Sequence, residues 1–135
     1  MTQTEIYDQL VAAVTDNLTS PWTICRLNGR YLDNGQDVEF DGIYLTPDGE
    51  EKPLSTDFHE DVAEAMVALY QLRKSQAQPR ANQFQLDLSA QGKYTVQFSW
   101  DQEMQDEEDH FNKGGTVREW QAIRAAKYGT GTTHE

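Results

Sequence analysis

One stretch in the second half of the chain constrains the fold more than any other, because two of its segments alternate apolar and polar residues. It reads QFQLDLSAQGKYTVQFSWD over Gln83–Asp101. A period of two is typical of half-buried strands. Between the segments, Ala90–Lys93 predicts a turn in which Gly92 takes a positive φ, so the stretch predicts an antiparallel hairpin. Its apolar face consists of Phe84, Leu86, Leu88, Tyr94, Val96, Phe98 and Trp100.

An apolar sheet face needs a cover, and three segments carry the apolar spacing of amphipathic helices. They are residues 2–18, 57–74 and 116–129. A side chain that can accept a hydrogen bond from the first turn precedes or begins each of them. The candidate caps are Thr2 or Thr4 for the first helix, Ser55 or Thr56 for the second, and Thr116 for the third.

Three further strands are predicted between the first two helices. The first puts Trp22 and Ile24 on the core side, and Asn28–Gly29 indicates a turn or bulge in it. The second covers Asp37–Leu45 and follows the strong turn signal DNG. The third is short and lies around Glu51–Leu54.

The resulting order, α-β-β-(β)-α-β-β-α, has no regular β-α-β alternation, which argues against a parallel doubly wound sheet. The sequence predicts an α+β fold in which an antiparallel sheet of four to five strands is covered by helices. For 135 residues we expect one domain over residues 1–129 and a flexible C-terminal tail over 130–135. The predicted core consists of Ile6, Leu10, Val14, Trp22, Phe40, Val62, Met66, Leu69, Phe84, Leu86, Tyr94, Val96 and Phe98.

The charge of the chain limits its possible partners. Lys and Arg total 11 against 23 Asp and Glu, which gives a formal net charge of −12 at pH 7. Such a field repels nucleic acid and anionic membranes, and it attracts a basic protein. Solubility alone also explains an acidic composition. The placement of the charges must therefore decide whether they indicate a basic partner.

Two groups of acidic residues are conspicuous by their placement. Asp37, Glu39 and Asp41 occupy alternate positions and therefore share one face of their strand. In the segment Asp101–Asp109, DQEMQDEED, six of nine residues are acidic and none is basic, and we expect an exposed loop. The alternative for each group is a solvated edge without function, but together they favour recognition of a basic protein.

No motif of catalysis or metal binding is present. The chain contains no GxxxxGK[ST], GxGxxG, HExxH or GxSxG sequence. His59, His110 and His134 lie far apart, without a second ligand at metal spacing. We therefore expect no enzyme activity, no cofactor and no metal. The lone Cys25, together with the lack of a signal peptide and of a long apolar run, predicts a cytoplasmic protein.

The opening helix TEIYDQLVAAVTDNL and the PWT that follows resemble the start of the YezG-like immunity proteins. The later sequence is similar to that family's strand Gly-x-aromatic-x-x-x-Phe-x-aromatic-Asp, acidic insertion and Trp-containing end. The middle of the chain, RYLDNGQDVEFDGIYLTPDGE, departs from the family because it contains fewer aromatic residues. The matching residues are Gly92, Tyr94, Phe98, Trp100, Asp101, Trp120, Lys127 and Tyr128.

The resemblance implies an antitoxin that binds and neutralises the C-terminal domain of a cognate secreted toxin in the cytoplasm. Such toxins are often nucleases, whose basic surface an acidic inhibitor can occupy. The alternatives are an acidic non-enzymatic adaptor or regulator of another basic protein, and a small hydrolase. The predicted toxin-binding residues are Asp37, Glu39, Asp41, Asp101, Glu103, Asp106, Glu107, Glu108 and Asp109, with Trp120 and Tyr128 as aromatic anchors.

Overall fold

The computed structural model describes residues 1–129, and the predicted tail at 130–135 lies outside them. The chain forms two compact units, of which the first is Met1–Trp100 and the second begins at Asp101. The expectation of one domain over 1–129 stays a prediction, which a single cooperative unfolding transition would support.

The first unit contains a five-stranded sheet with the strand order β3-β2-β1-β4-β5. All four neighbouring pairs are antiparallel, so the predicted α+β fold with an antiparallel sheet is confirmed. The elements are α1 (Gln3–Asn17), β1 (Ile24–Leu32), β2 (Asp37–Leu45), β3 (Glu51–Pro53), α2 (Glu60–Ser75), β4 (Gln83–Ser89) and β5 (Tyr94–Ser99).

The core of this unit joins helices α1 and α2 to one face of the sheet. Inward side chains such as Leu27 of β1 and Leu86 of β4 belong to the same buried cluster as the helical residues. The opposite face, called the outer face below, begins with the alternate positions Ile24, Arg26 and Asn28 of β1. The buried side chains of the two helices are Ile6, Leu10, Val14, Val62, Ala65, Met66 and Leu69.

Most of the predicted core is confirmed, with one exception on the last strand. Phe84 and Leu86 are buried, as predicted for the hairpin. Tyr94 is 36% exposed, because β5 is an edge strand and the ring has the sheet on one side only. The predicted core residues that are only partly buried against the cluster are Trp22, Phe40, Val96 and Phe98.

The predicted phase of β1 is wrong. Cys25 and Leu27 are buried, whereas Ile24 is 51% exposed. Trp22 packs partly against the core from a position before the strand begins. Side chains alternate along a strand, so placing Trp22 and Ile24 together on the core side assigned the wrong face to the rest of β1.

Two glycines have different roles in the sheet. Gly29 lies inside β1 opposite Phe40 and Phe84, not in the predicted turn or bulge. A Cβ atom there would lie 1.8 Å from Cε1 of Phe84, so glycine leaves room for the ring to cover the strand backbone. Gly92 has φ +87°, which confirms the predicted hairpin turn between β4 and β5.

The helix starts are set by capping side chains. Thr2 caps α1 in a capping box, which confirms one of the two predicted caps. The predicted cap of α2 at Ser55 or Thr56 is wrong, because that helix begins later. His59 is the actual cap, and its Nδ1 accepts a hydrogen bond from the backbone N–H of Asp61 at 3.2 Å.

The second unit contains two helices, α3 (Gln102–Asn112) and α4 (Val117–Tyr128). The prediction that Asp101–Asp109 is an exposed loop is therefore wrong. Asp101 caps α3 by accepting a hydrogen bond from a backbone N–H of the first turn at 3.0 Å, and the following Glu, Gln and Met residues favour helix. The predicted cap of α4 at Thr116 is confirmed.

Candidate functional site

The three acidic residues of β2 lie side by side on the outer face and are exposed. Arg30 Nη2 donates to Glu39 Oε1 at 2.8 Å, and Asn28 Nδ2 donates to Asp41 Oδ1 at 3.0 Å. Asp37 accepts a hydrogen bond from the next backbone N–H at 2.8 Å. The strand register sets these β1 and β2 residues opposite one another. The cross-strand contacts therefore reduce the repulsion among the carboxylates.

An ion pair between β1 and β4 adds two more charged side chains to the outer face. Arg26 Nε donates to Asp87 Oδ1 at 2.7 Å, and Nη2 donates to Oδ2 at 3.3 Å. This hydrogen bonding with Asp87 raises the pKa of Arg26. The outer face is therefore a mixed ionic layer in which Arg26 and Arg30 balance part of the acidic charge.

Apolar side chains are exposed at one end of the outer face. Ile24 is 51% exposed and Ile43 is 36% exposed. With Arg26, Leu45 and Glu51 they line a depression of about 430 Å³. Apolar residues within a polar rim are typical of the centre of a protein interface. The sequence analysis missed them, although the charge of Arg26, which shares a face with Ile24, indicated that this face is outward.

Two carboxylates of α3 are bonded to cations of α4. Arg124 Nε donates to Glu103 Oε2 at 2.7 Å, and Lys127 Nζ donates to Asp106 Oδ2 at 2.6 Å. The hydroxyl of Tyr128 donates to the same Asp106 oxygen. Three of the predicted toxin-binding residues therefore connect the two helices of their own unit.

The hydrogen bonds around Asp106 shift its titration. Bonds from Lys127, Tyr128 and Gln102 lower the pKa of Asp106 from 3.8 to about 2. The same carboxylate raises the pKa of Lys127 and that of Tyr128 through its hydrogen bonds. The Asp106 side chain is 19% exposed. The negative charge of Asp106 is therefore largely compensated by hydrogen-bond donors within α3 and α4.

The other predicted contact residues of α3 and α4 differ in exposure. Glu107 and Asp109 are exposed, and Glu108 is partly buried. Trp120 is only 5% exposed, and its ring centroid lies 5.8 Å from that of His110. A partner could reach Trp120 only after a local rearrangement. Glu107 and Asp109 are therefore the more accessible of these candidates.

The described residues offer no obvious metal centre. Residues 1–129 contain no group of three His, Cys, Asp or Glu side chains arranged to hold an ion. His59 serves as a helix cap, and Nε2 of His110 lies 2.8 Å from the carbonyl oxygen of Thr116. None of the helices in this part of the chain has the length and apolar character that a membrane span requires.

Comparisons with known proteins do not identify the chain. No protein-family model matches the sequence, and no curated protein matches it significantly. Membership of the YezG-like immunity family thus stays a prediction that rests on the quoted residues.

Proposed function

We propose that this protein is an immunity protein that binds and neutralises a basic toxin domain, expected to be a nuclease, in the cytoplasm. The observation that carries the proposal is the outer face of the sheet, where exposed apolar residues and exposed carboxylates share one surface. Ile24 and Ile43 provide the apolar part, and the acidic residues of β2 provide the charge. The net charge of −12 supports a basic partner, and the family resemblance supports a toxin.

The outer face is a better candidate than the acidic helix α3. Glu103 and Asp106 already bond to Arg124 and Lys127, so a basic partner would have to compete with those internal cations. On the outer face, Glu39 is bonded to Arg30, but Asp41 accepts a hydrogen bond from the neutral side-chain amide of Asn28. Its charge is therefore more available to a cation of the partner.

The proposed inhibition needs no chemistry on the part of this protein. A nuclease holds its substrate on a basic surface. An acidic layer placed against that surface competes with the phosphates, and contact between apolar side chains around Ile24 and Ile43 slows dissociation. Nucleic acid is then excluded from the toxin for as long as the complex persists.

The direct test is coexpression with the protein encoded beside this gene, with cell survival and complex formation as readouts. We expect survival and copurification with the wild-type chain. Asp37→Asn, Glu39→Gln and Asp41→Asn combined should slow association, and Ile24→Ser should speed dissociation. The matched control is Glu107→Gln with Asp109→Asn, which removes exposed charge from α3.

Three results would count against this assignment. Unchanged binding of both outer-face variants would exclude the outer face. A loss confined to the α3 variant would move the contact to α3. A basic partner that binds tightly but has no toxicity would favour the adaptor function.

A further inference from the structure

A cavity of about 250 Å³ lies beside the carboxyl end of α2 in the first unit. Its walls come from Tyr31 of β1, from Tyr70, Arg73 and Lys74 of α2, and from residues 78–81. Arg80 belongs to that last segment, so three of the chain's 11 Lys and Arg residues surround one cavity. This concentration of positive charge is opposite in sign to the molecule as a whole.

These three cations are not used in ion pairs within residues 1–129. The negative end of the α2 dipole favours Arg73 and Lys74 at their positions, but Arg80 lies beyond the helix. Their charges are therefore available to a ligand that enters the cavity. The cations that do pair with carboxylates are Arg26, Arg30, Lys52, Arg124 and Lys127.

Aromatic rings hold the two guanidinium groups in place. Arg73 lies over the ring of Phe98, 3.7 Å from the centroid, and its Nη2 donates to the carbonyl oxygen of Pro79 at 3.0 Å. Arg80 lies over the ring of Trp100 at 4.0 Å. A ring face orients a guanidinium without neutralising it. The positive groups are therefore positioned before any ligand arrives.

The remaining walls of the cavity suit a small apolar group. Tyr31 and Tyr70 meet edge to face with their centroids 5.0 Å apart, and Pro79 and Ala81 complete the apolar lining. The Tyr31 hydroxyl is already committed, since it donates to the carbonyl oxygen of Met66 at 3.0 Å. The volume is below the roughly 300–1,000 Å³ of sites for drug-sized ligands, which limits the ligand to a small molecule.

We propose that this cavity binds a small phosphate monoester. Arg73, Lys74 and Arg80 take the phosphate, and the rings of Tyr31 and Tyr70 contact the organic part. A cluster of several cations suits a ligand with a compact dianionic group, such as a phosphate, better than it suits a ligand with a single carboxylate. Because the Debye length is about 8 Å at physiological ionic strength, distant carboxylates are screened at the site. A long polyanion would instead extend over the negative surface and be repelled.

Titration of the purified protein with phenyl phosphate tests this site without any toxin, so its outcome is independent of the proposed function. We expect saturable binding by calorimetry, with the largest amide shifts in two-dimensional NMR at Tyr70, Gln78, Arg80 and Ala81. Phenol lacks the charge and should bind at least about tenfold more weakly. Inorganic phosphate should also bind more weakly than phenyl phosphate, and equal affinities would overturn the role of the aromatic walls.

Exposed residues supply variants that should keep the fold intact. Lys74→Gln and Arg80→Gln should each weaken phenyl phosphate binding about tenfold, because each removes a charge-assisted contact. The matched control is Arg118→Gln on α4, an exposed cation far along the chain, which should not change the affinity. The proposal is overturned if phenyl phosphate binding does not saturate, or if both cavity variants keep the wild-type affinity. It is also overturned if Arg118→Gln loses as much affinity as the cavity variants, or if a single-stranded oligonucleotide binds more tightly than phenyl phosphate.

Discussion

Gly29 is the residue at which the sheet is most sensitive to added volume. In Gly29→Ala the new Cβ would meet the Phe84 ring at 1.8 Å, and Phe84 is buried. We expect the free energy of unfolding to fall by about 1–3 kcal/mol, as for an overpacked core. Denaturant titration measures this. Gln91→Ala in the exposed turn should stay within about 0.5 kcal/mol, and the effect of Gly29→Ala should shrink in a Phe84→Leu background.

Cys25 should be chemically inert in the folded protein. Burial, with a smaller contribution from the charge of Asp87, raises the pKa of its thiol from 9.0 to about 11. At pH 8 this lowers the thiolate fraction about a hundredfold, and the side chain is 1% exposed. We expect slow reaction with a disulfide reagent in buffer and rapid reaction in urea. Comparable rates in both would mean that β1 opens readily.

The pairing of α3 with α4 depends on the charge of Asp106. The pKa of Asp106 in the folded protein lies below its ordinary value of 3.8. The stabilisation is therefore present above about pH 4 and is lost as the pH falls towards about 2. Asp106→Asn should weaken the pairing by about 0.5–1 kcal/mol, the range for accessible ion pairs. Amide exchange of α3 at pH 5 reports this loss, and carboxyl NMR gives the pKa directly. Glu107→Gln leaves the Asp106 bonds in place and should have a smaller effect, whereas an Asp106 midpoint near 3.8 would contradict the prediction.

Elements with a clear apolar period could be predicted from the sequence, and those shaped by tertiary contacts could not. The hairpin phase at Phe84 and Leu86 was predicted correctly because its alternation is unbroken. Helix α3 was missed because its acidic run has no apolar stripe, although the cap at Asp101 and the helix-favouring residues after it were a usable signal. Gly29 suggested a turn because the ring that covers it comes from a distant strand.

Part of the candidate site, like part of the fold, could be predicted from the sequence. The alternation of Asp37, Glu39 and Asp41 was enough to put them on one exposed face. The β1 partners of Glu39 and Asp41, Arg30 and Asn28, depend on the strand register, which the sequence does not specify uniquely. The cavity beside α2 could not be predicted, because Tyr31 and Arg80 line it from segments that are far apart in the sequence.

At the scale of the whole molecule, the charge of −12 should control the rate at which a basic toxin domain is found. The Debye length falls from about 30 Å at 0.01 M to about 8 Å at 0.15 M salt. The association rate should therefore drop about tenfold or more over this range, while dissociation changes little. Stopped-flow mixing at several salt concentrations measures both rates. An association rate independent of salt would refute electrostatic steering without refuting the complex.

The central position of β1 also has a kinetic consequence. The hairpins β1–β2 and β4–β5 each join strands that are close in sequence, but the seam between β1 and β4 pairs Arg26 with Asp87, 61 positions apart. Closing that long loop costs conformational entropy that neither hairpin needs to overcome. We expect docking of one hairpin on the other to limit the folding rate. Leu27→Ala at the seam should then slow refolding, whereas Tyr94→Ala at the edge should mainly speed unfolding in stopped-flow experiments.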